Sequence, residues 1–404
     1  MDKTKEVFDY LKEHSDNEYL AINDIYNRYR IGISDSKDYN LSIVQKMMNK
    51  VKEVAAYWSV YIIVFANLSK RKEIDPDMVL AFARVQRVKD KLSKIDSELQ
   101  YITDDIKHGD FTIYKIGNKN NRLSFLFRRY RSIYKSTINS ASKMVDENAE
   151  LRRLKNYYLH YLKMRAPHHI WFGFACEEIF KATARSYAYT GDIVNLANVI
   201  ERRTAQKHDI SLVCIPHGRE YIIPMPAGIM GNKNYCTTKS VANKLQELYP
   251  DQEFFIDYDI NRRIYSYSRK ERKDKNPTRV VYFTESLDLG VAFVKEISPK
   301  LEEIGLRLYV KLHPEDLNQK ELYNGNNVSF IDNYSEAITD CLALAFRSTV
   351  LIEAIYNGSI PICLERMYEI NYTETSNEYL ETEQTLLPAS IDDLMQIVKQ
   401  IMHK

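Results

Sequence analysis

The spacing of apolar and polar positions along this 404-residue chain changes character twice. Over the first 165 residues apolar side chains recur every three or four positions, as at Ile43, Met47, Val51, Val54 and Trp58. That spacing predicts helices with one packed stripe, broken at Asp75-Pro76-Asp77 and at Ala166-Pro167. From residue 169 short apolar runs take over: His169–Phe174, Ile210–Ile215 and Glu253–Ile256. Runs of this length bounded by Gly, Pro or Asp read as buried strands, and Glu177–Tyr189 reads as a helix between the first two. Arg269–Lys275 then places seven charged residues in a row, closed by Asn276-Pro277. Nothing apolar can anchor that segment, so it is the clearest boundary in the chain.

A second series follows. Strands are expected at Arg279–Phe283, Leu306–Val310, Val328–Ile331, Ala343–Phe346 and Ile360–Leu364. Helices are expected at Gly290–Ile304, Tyr334–Leu342, Val350–Asn357 (stopped by Gly358) and Ile391–Met402. Strands alternating with helices predict an α/β fold with parallel sheets. A chain this long exceeds the size at which one core stops growing. The expected organisation is a mainly helical region over 1–165 on the acceptor side, a first Rossmann-like domain over 166–268, a charged linker over 269–277, and a second Rossmann-like domain over 278–404.

Composition narrows the partners. An apolar fraction of 45% with 28% charged residues belongs to an ordinary globular protein. Fifty-seven basic residues nearly cancel 55 acidic ones, leaving +2, which argues against nucleic acid as a partner. Thirty tyrosines against twelve glycines reflect either a bias of the genome or aromatic surfaces for sugar rings. The five cysteines contain no Cys-x-x-Cys pair and read as buried free thiols of a reducing compartment. The N-terminal Met-Asp-Lys-Thr-Lys-Glu has no apolar core, so no signal peptide is expected. Val54–Leu68 is too short and too polar for a membrane span. A cytoplasmic location is expected. Phe125–Lys135 mixes aromatics with four positive charges; its plain reading is a solvated basic face over a packed stripe. Its functional reading is a peripheral contact with the inner face of the cell membrane or with an anionic glycan.

The chemistry concentrates after the strands of the second series. Lys311, His313 and Pro314 follow one strand, and Arg347, Ser348 and Thr349 stand between the next strand and a helix. Thr284 and Ser286 follow the first strand of the series. Strand ends are where open α/β sheets bind ligands. Lys or His gives a phosphate oxygen a charge-assisted hydrogen bond, and Ser and Thr add hydroxyl donors. In the first series, His217-Gly218 ends a strand and offers a group that can take a proton near neutral pH, with Glu220 as an alternative. Glu177 and Glu178 follow what reads as a loop at Gly173. Asp257 and Asp259 match the Asp-x-Asp pattern that holds a divalent metal against a diphosphate. Their position ahead of the phosphate-type loops counts against that use, and no metal is expected.

Lys-x-His-Pro, then Ser348-Thr349 ahead of a helix carrying Glu353-Ala354, with Gly358 and Pro361 beyond, resembles the donor half of GT-B glycosyltransferases. It is most similar to the bacterial sialyltransferase and capsule polysialyltransferase group, with its His-Pro and Ser-Ser/Thr motifs. The wall teichoic acid polyol-phosphate polymerases share a similar pattern. The resemblance covers about residues 205–365. It implies a GT-B fold, two Rossmann-like domains facing a cleft, and a CMP-linked nucleotide-sugar co-substrate with no other cofactor. It implies a glycan or glycolipid acceptor and inverting transfer of a sugar such as sialic acid in capsule or lipopolysaccharide synthesis. The donor nucleotide would be bound by Thr284, Ser286, Lys311, His313, Pro314, Arg347, Ser348, Thr349 and Glu353. His217, Glu177 or Glu220 would be the base, with Gly173 and Gly218 on the acceptor side. Pro216-His217-Gly218 stands where sialyltransferases of this group carry an acidic motif, and is closer to the His-Gly of the polyol-phosphate polymerases. A CDP-glycerol or CDP-ribitol transferase is therefore the second expectation, and a non-catalytic glycan- or membrane-associated scaffold the third.

Overall fold

The computed structural model describes residues 3–34, 42–67, 73–102, 121–191, 196–216, 224–267, 277–285, 288–346, 348–368 and 384–402. Two compact units divide the chain. One is built mainly from Met1–His217, with Ile223–Tyr235 and Gln246–Phe254; the other mainly from Phe255–Lys404, with Gly218–Ile222 and Cys236–Leu245.

The first unit opens with helices α1 (Lys3–Glu13), α2 (Ser15–Ser34) and α3 (Ile43–Asn67). Strand β1 (Val79–Phe82), helix α4 (Gln86–Leu92) and strand β2 (Leu99–Ile102) come next. After α5 (Asn121–Glu147), α6 (Ala149–Arg152) and α7 (Lys155–Ala182) the chain returns to strands. These are β3 (Tyr187–Thr190), β4 (Ser211–Cys214), β5 (Lys233–Tyr235) and β6 (Glu253–Phe255), with α8 (Leu196–Lys207) and α9 (Lys239–Leu248) between them. The sheet order is β2-β1-β3-β4-β5-β6, and the pairs from β2 through β5 are parallel.

Three expectations are corrected here. The region 1–165 is not only helical, because β1 and β2 lie inside it and join the sheet at Ala81↔Tyr189. Four residues are too few to separate a two-residue period from a helical one, which is why β1 was not legible. His169–Phe174 is not a strand but the middle of α7. That helix packs on α2, α3, α5 and α8 together, so its buried residues are spread around it and leave no single stripe to read. Pro167 is accommodated inside it. The helix predicted at Glu177–Tyr189 ends at Ala182, and β3 begins five residues later.

A further departure is on α3. Its inward side is Ala56, Val60 and Val64, beside an aromatic seam in which Tyr61 stacks on Phe127 at 4.4 Å and Tyr57 meets Tyr130 at 5.3 Å. The stripe predicted to be packed, from Ile43 through Trp58, faces outward instead. On α5 the plain reading of Phe125–Lys135 matches the helix: Leu126 and Tyr130 are buried, and Arg128, Arg129, Arg131 and Lys135 are exposed.

The second unit holds α10 (Tyr258–Tyr265), β7 (Arg279–Phe283), α11 (Asp288–Glu303), β8 (Leu308–Lys311), a 3-10 helix over Pro314–Tyr323, and β9 (Val328–Phe330). It continues through α12 (Tyr334–Ala337), β10 (Cys341–Ala345), α13 (Val350–Tyr356), β11 (Ile360–Cys363) and α14 (Ile391–Met402). The order β11-β10-β7-β8-β9 is parallel throughout. The helix expected over Tyr334–Leu342 stops at Ala337, and β10 starts at Cys341. Every residue of β10 is buried, as in a parallel strand covered on both faces. Val280, Tyr282, Leu308, Val310, Leu342 and Leu344 share one face and form a core with Phe293, Ile297 and Leu301 of α11 and Leu394 and Val398 of α14. Val281, Phe283, Ala343 and Ala345 are buried on the other face, where α13 packs on β10 and β11. Gly358, at φ +75°, ends α13 in the left-handed conformation only glycine adopts freely. The charged segment Arg269–Lys275 lies outside the described residues.

Candidate functional site

The strand order of the second unit creates a site before any side chain is considered. The chain starts at the central β7, runs outward through β8 and β9, then crosses back to the other side of β7 for β10 and β11. Helices leaving β7 and β10 therefore diverge, and a crevice opens outside the C-terminal ends of these strands. Phe283 is in register with Lys311, and Tyr282 with Leu344. Adjacent strands lie about 4.8 Å apart, so the ends of β8 and β10 are about 10 Å apart across β7.

Thr284 follows β7 and is buried. Its Oγ1 accepts the backbone N–H of His313 at 2.7 Å, tying the ends of β7 and β8 together. Glu285 makes the corresponding tie on the other side, its Oε2 accepting the N–H of Phe346 at 2.7 Å. Sequence reasoning passed over Glu285 because its role depends on which strands are neighbours. Gly290 lets the first turn of α11 come down on Tyr282, where an added Cβ would lie 2.5 Å from the phenol oxygen.

His313 is half-exposed just beyond β8 and caps the 3-10 helix that begins at Pro314. Its Nδ1 accepts the N–H of Glu315 at 3.3 Å. A ring nitrogen that accepts carries no proton, so the neutral ring holds its proton on Nε2 and presents a donor. The Lys311 ammonium, partly buried, donates to the Leu312 carbonyl at 3.2 Å. On the β10 side Ser348 Oγ accepts from Val350 N at 3.3 Å, and the Ser348 and Thr349 carbonyls accept the first N–H groups of α13. Both residues are partly exposed. Ser286 and Arg347 lie outside the described residues. Thr284 thus contacts His313, Lys311 and Pro314 adjoin it at the end of β8, and Ser348 and Thr349 stand beyond the end of β10.

Glu353 does not join them. It is fully buried on α13, and its carboxylate accepts the hydroxyls of Tyr267 at 3.1 Å and Tyr334 at 2.5 Å. The expected nucleotide contact is replaced by an internal hydrogen-bond node, because Glu353, in the first turn of α13, lies on the side of that helix that is buried in the unit. Asp257 is likewise accounted for: its Oδ1 caps α10, accepting from Asp259 N at 3.0 Å and Ile260 N at 2.9 Å. Among the described residues no group of three or more His, Cys, Asp or Glu is placed to hold a metal ion.

His217, Gly218 and Glu220 lie outside the described residues. Glu177 and Gly173 are described and depart from expectation. Gly173 sits in the middle of α7, not in a loop, and Glu177 is near that helix's C-terminal end, not at a helix start. Glu177 Oε1 is 3.2 Å from Lys181 Nζ and 3.3 Å from His208 Nε2. Burial pushes its carboxyl up, but Lys181, then His208 and Lys207, outweigh that and hold it below the ordinary glutamate range. A carboxylate so stabilised is a poor base.

The switch point of the first sheet lies between β1 and β3 and carries residues that sequence reasoning missed. Arg84, two residues beyond β1, forms a buried ion pair with Glu201 of α8, and Thr190 at the end of β3 donates to the same carboxylate at 2.8 Å. Lys91 of α4, also buried, donates to the Pro216 carbonyl at 2.7 Å. The signal available was the Arg that follows Val-Leu-Ala-Phe-Ala, which stands out only once that run is read as a strand.

Comparison with known proteins adds little. No family model matches the chain, and no curated protein matches it. Among solved structures it is similar to UDP-N-acetylglucosamine 2-epimerase from Rickettsia bellii, with a TM-score of 0.39 and 10% identity, over 83% of this chain and 88% of that one. At that score the likeness carries no argument about function.

Proposed function

We propose that this chain is a glycosyltransferase of bacterial surface polysaccharide synthesis, moving a sugar from a CMP-activated donor such as CMP-sialic acid to an acceptor hydroxyl with inversion. One observation supports this above the others. Thr284, Lys311, His313, Ser348 and Thr349 stand at or just beyond the C-terminal ends of β7, β8 and β10, on either side of the switch point of a Rossmann-ordered sheet.

In the proposed reaction the acceptor oxygen bonds to the anomeric carbon, and the bond from that carbon to the donor phosphate oxygen breaks. CMP leaves with the bonding electrons, so negative charge grows on its phosphate. His313 Nε2–H, the Lys311 ammonium and the Ser348 and Thr349 hydroxyls meet that charge as fixed donors, with no metal required. Thr284, holding the His313 backbone, fixes the position of the imidazole. The acceptor proton passes to a base, for which His217 is proposed and Glu220 is the alternative. A second reading keeps the site and changes the donor to CDP-glycerol or CDP-ribitol; His217-Gly218 favours it.

The test is a thermal-shift series with CMP, CDP, UDP, GDP and ADP, each with and without EDTA, followed by turnover of CMP-sialic acid and CDP-glycerol. Stabilisation by CMP or CDP that ignores EDTA is expected. His313→Ala should cut turnover about 10²-fold or more, one charge-assisted contact of about 3 kcal/mol being lost. Wild-type turnover in that variant, or no response to any cytidine nucleotide, overturns the reading.

A further inference from the structure

The 25-residue helix α3 spans about 37 Å and shows two unlike apolar sides. Its inner side packs into the first unit through Ala56, Val60 and Val64. Its outer side carries Val44, Met47, Val51, Trp58, Ile62 and Phe65 at helical spacing. Val51 and Ile62 are each 69% exposed, Phe65 59% and Trp58 48%. Soluble surfaces rarely expose a continuous apolar stripe of that length, and where they do it marks a contact.

The charges around the stripe state what the contact is. Lys50 and Lys52 adjoin Val51 in sequence and therefore flank it on the two sides of the helix, both exposed. The acid of α3, Glu53, is turned to the protein, with His160 at 2.9 Å, Lys163 at 3.5 Å and Lys50 at 3.7 Å. Arg131 of α5 donates to Tyr61 of α3 at 3.1 Å, which brings the basic face of α5, with its exposed Phe125, beside the stripe. The result is an apolar face with a cationic rim and no outward acid on its helix.

We propose that this face of α3 docks in the plane of an anionic lipid bilayer, its apolar residues in the acyl boundary and its lysines among the headgroups. A basic rim around an apolar helix face is the pattern of interfacial binding, and lysine stems reach from the apolar boundary to the phosphates. Among the described residues no helix is long and apolar enough to cross a membrane, so the helix lies on the surface. A second copy of the chain fits less well. Val44, Val51, Trp58 and Phe65 repeat every seven residues, but the flanking positions offer Lys50, Met48, Ala55 and Ile62 and no acid to pair with a lysine. This surface is independent of the transferase reading, and of the two tryptophans only Trp58 lies on it; Trp171 is buried.

The full chain is therefore titrated with phosphatidylcholine vesicles with and without phosphatidylglycerol, following tryptophan emission and co-sedimentation. A blue shift and sedimentation with the anionic vesicles are expected, both weakened by high salt. The double variant Val51→Glu/Ile62→Glu should lose binding by about tenfold or more with its thermal midpoint unchanged, since both side chains face solvent. Lys50→Glu/Lys52→Glu should weaken binding as well, while Trp58→Phe should sediment and lose the emission shift. Failure of the wild type to sediment with anionic vesicles, or unchanged binding in both double variants, overturns the proposal. So does a dimer, seen by light scattering, that Val51→Glu/Ile62→Glu separates.

Discussion

At the scale of single residues the chain's most telling features are polar groups in apolar places. His169 of α7 is buried, and neither ring nitrogen has a hydrogen-bond partner. Asp24 of α2 lies 3.8 Å away and is itself 3.3 Å from Arg165. Burial, then Arg165 and His168, push the His169 pKa well below the ordinary histidine value of 6.5. The unfolded chain therefore takes up this proton first as pH falls, and the stability present above about pH 6.5 is lost below it. Asp24 acts in the opposite sense, because burial raises its carboxyl. Comparison with a His169→Met variant isolates the histidine. Denaturant midpoints at pH 7.5 and 5.5 should fall further for the wild type, by up to about 1.4 kcal/mol per pH unit, the slope for one proton. Parallel pH dependence in the two proteins would exclude this account. None of this was visible in the sequence, where His168-His169 reads only as the start of an apolar run.

At the scale of elements, caps and boundaries decide what the motifs mean. Asp257-Tyr258-Asp259 has the spacing of a metal motif, yet Asp257 spends its carboxylate on two N–H groups at the start of α10. Asp257→Ala should thus cost about 1 kcal/mol of stability, the worth of an N-cap, and leave turnover EDTA-insensitive; loss of activity restored by Mn²⁺ would return the pair to metal binding. Lys311-Leu312-His313-Pro314 behaves differently. His313 is also a cap, but of a 3-10 helix, and the cap uses only its Nδ1. The elements after residue 277 were largely legible, because parallel central strands are continuous apolar runs that alternate with helices. Before residue 190 the helical character was legible but α7, β1 and β2 were not: α7 packs on several helices at once, and β1 and β2 are four residues each.

At the scale of the whole molecule, two parallel sheets with separate cores organise the chain. All five cysteines are buried and outside any disulfide, as the placement of four of them in or beside apolar runs suggested. Burial pushes the Cys341 thiol up to about 12, with Ser359 opposing, so the reactive thiolate is scarce as well as inaccessible. The native chain should resist a thiol reagent for many minutes and titrate five thiols only across the unfolding transition; rapid labelling of any one would show a local opening. The tyrosines tell a similar story. Tyr57, Tyr61, Tyr130 and Tyr134 pack on one another within the helical part of the first unit.

The sequence by itself determined the α/β class, the strand-end positions of Thr284, His313 and Ser348, and the buried state of the thiols. Each of these depends on local periodicity or on a run of like residues, which a linear chain displays. Tertiary structure alone decided which strands are neighbours, and so that Glu285 ties β7 to β10 and Arg84 pairs with Glu201. It decided that Glu353 turns inward to two tyrosines. It also decided which side of α3 is covered, since both sides are apolar and only the positions of α5 and α7 choose between them.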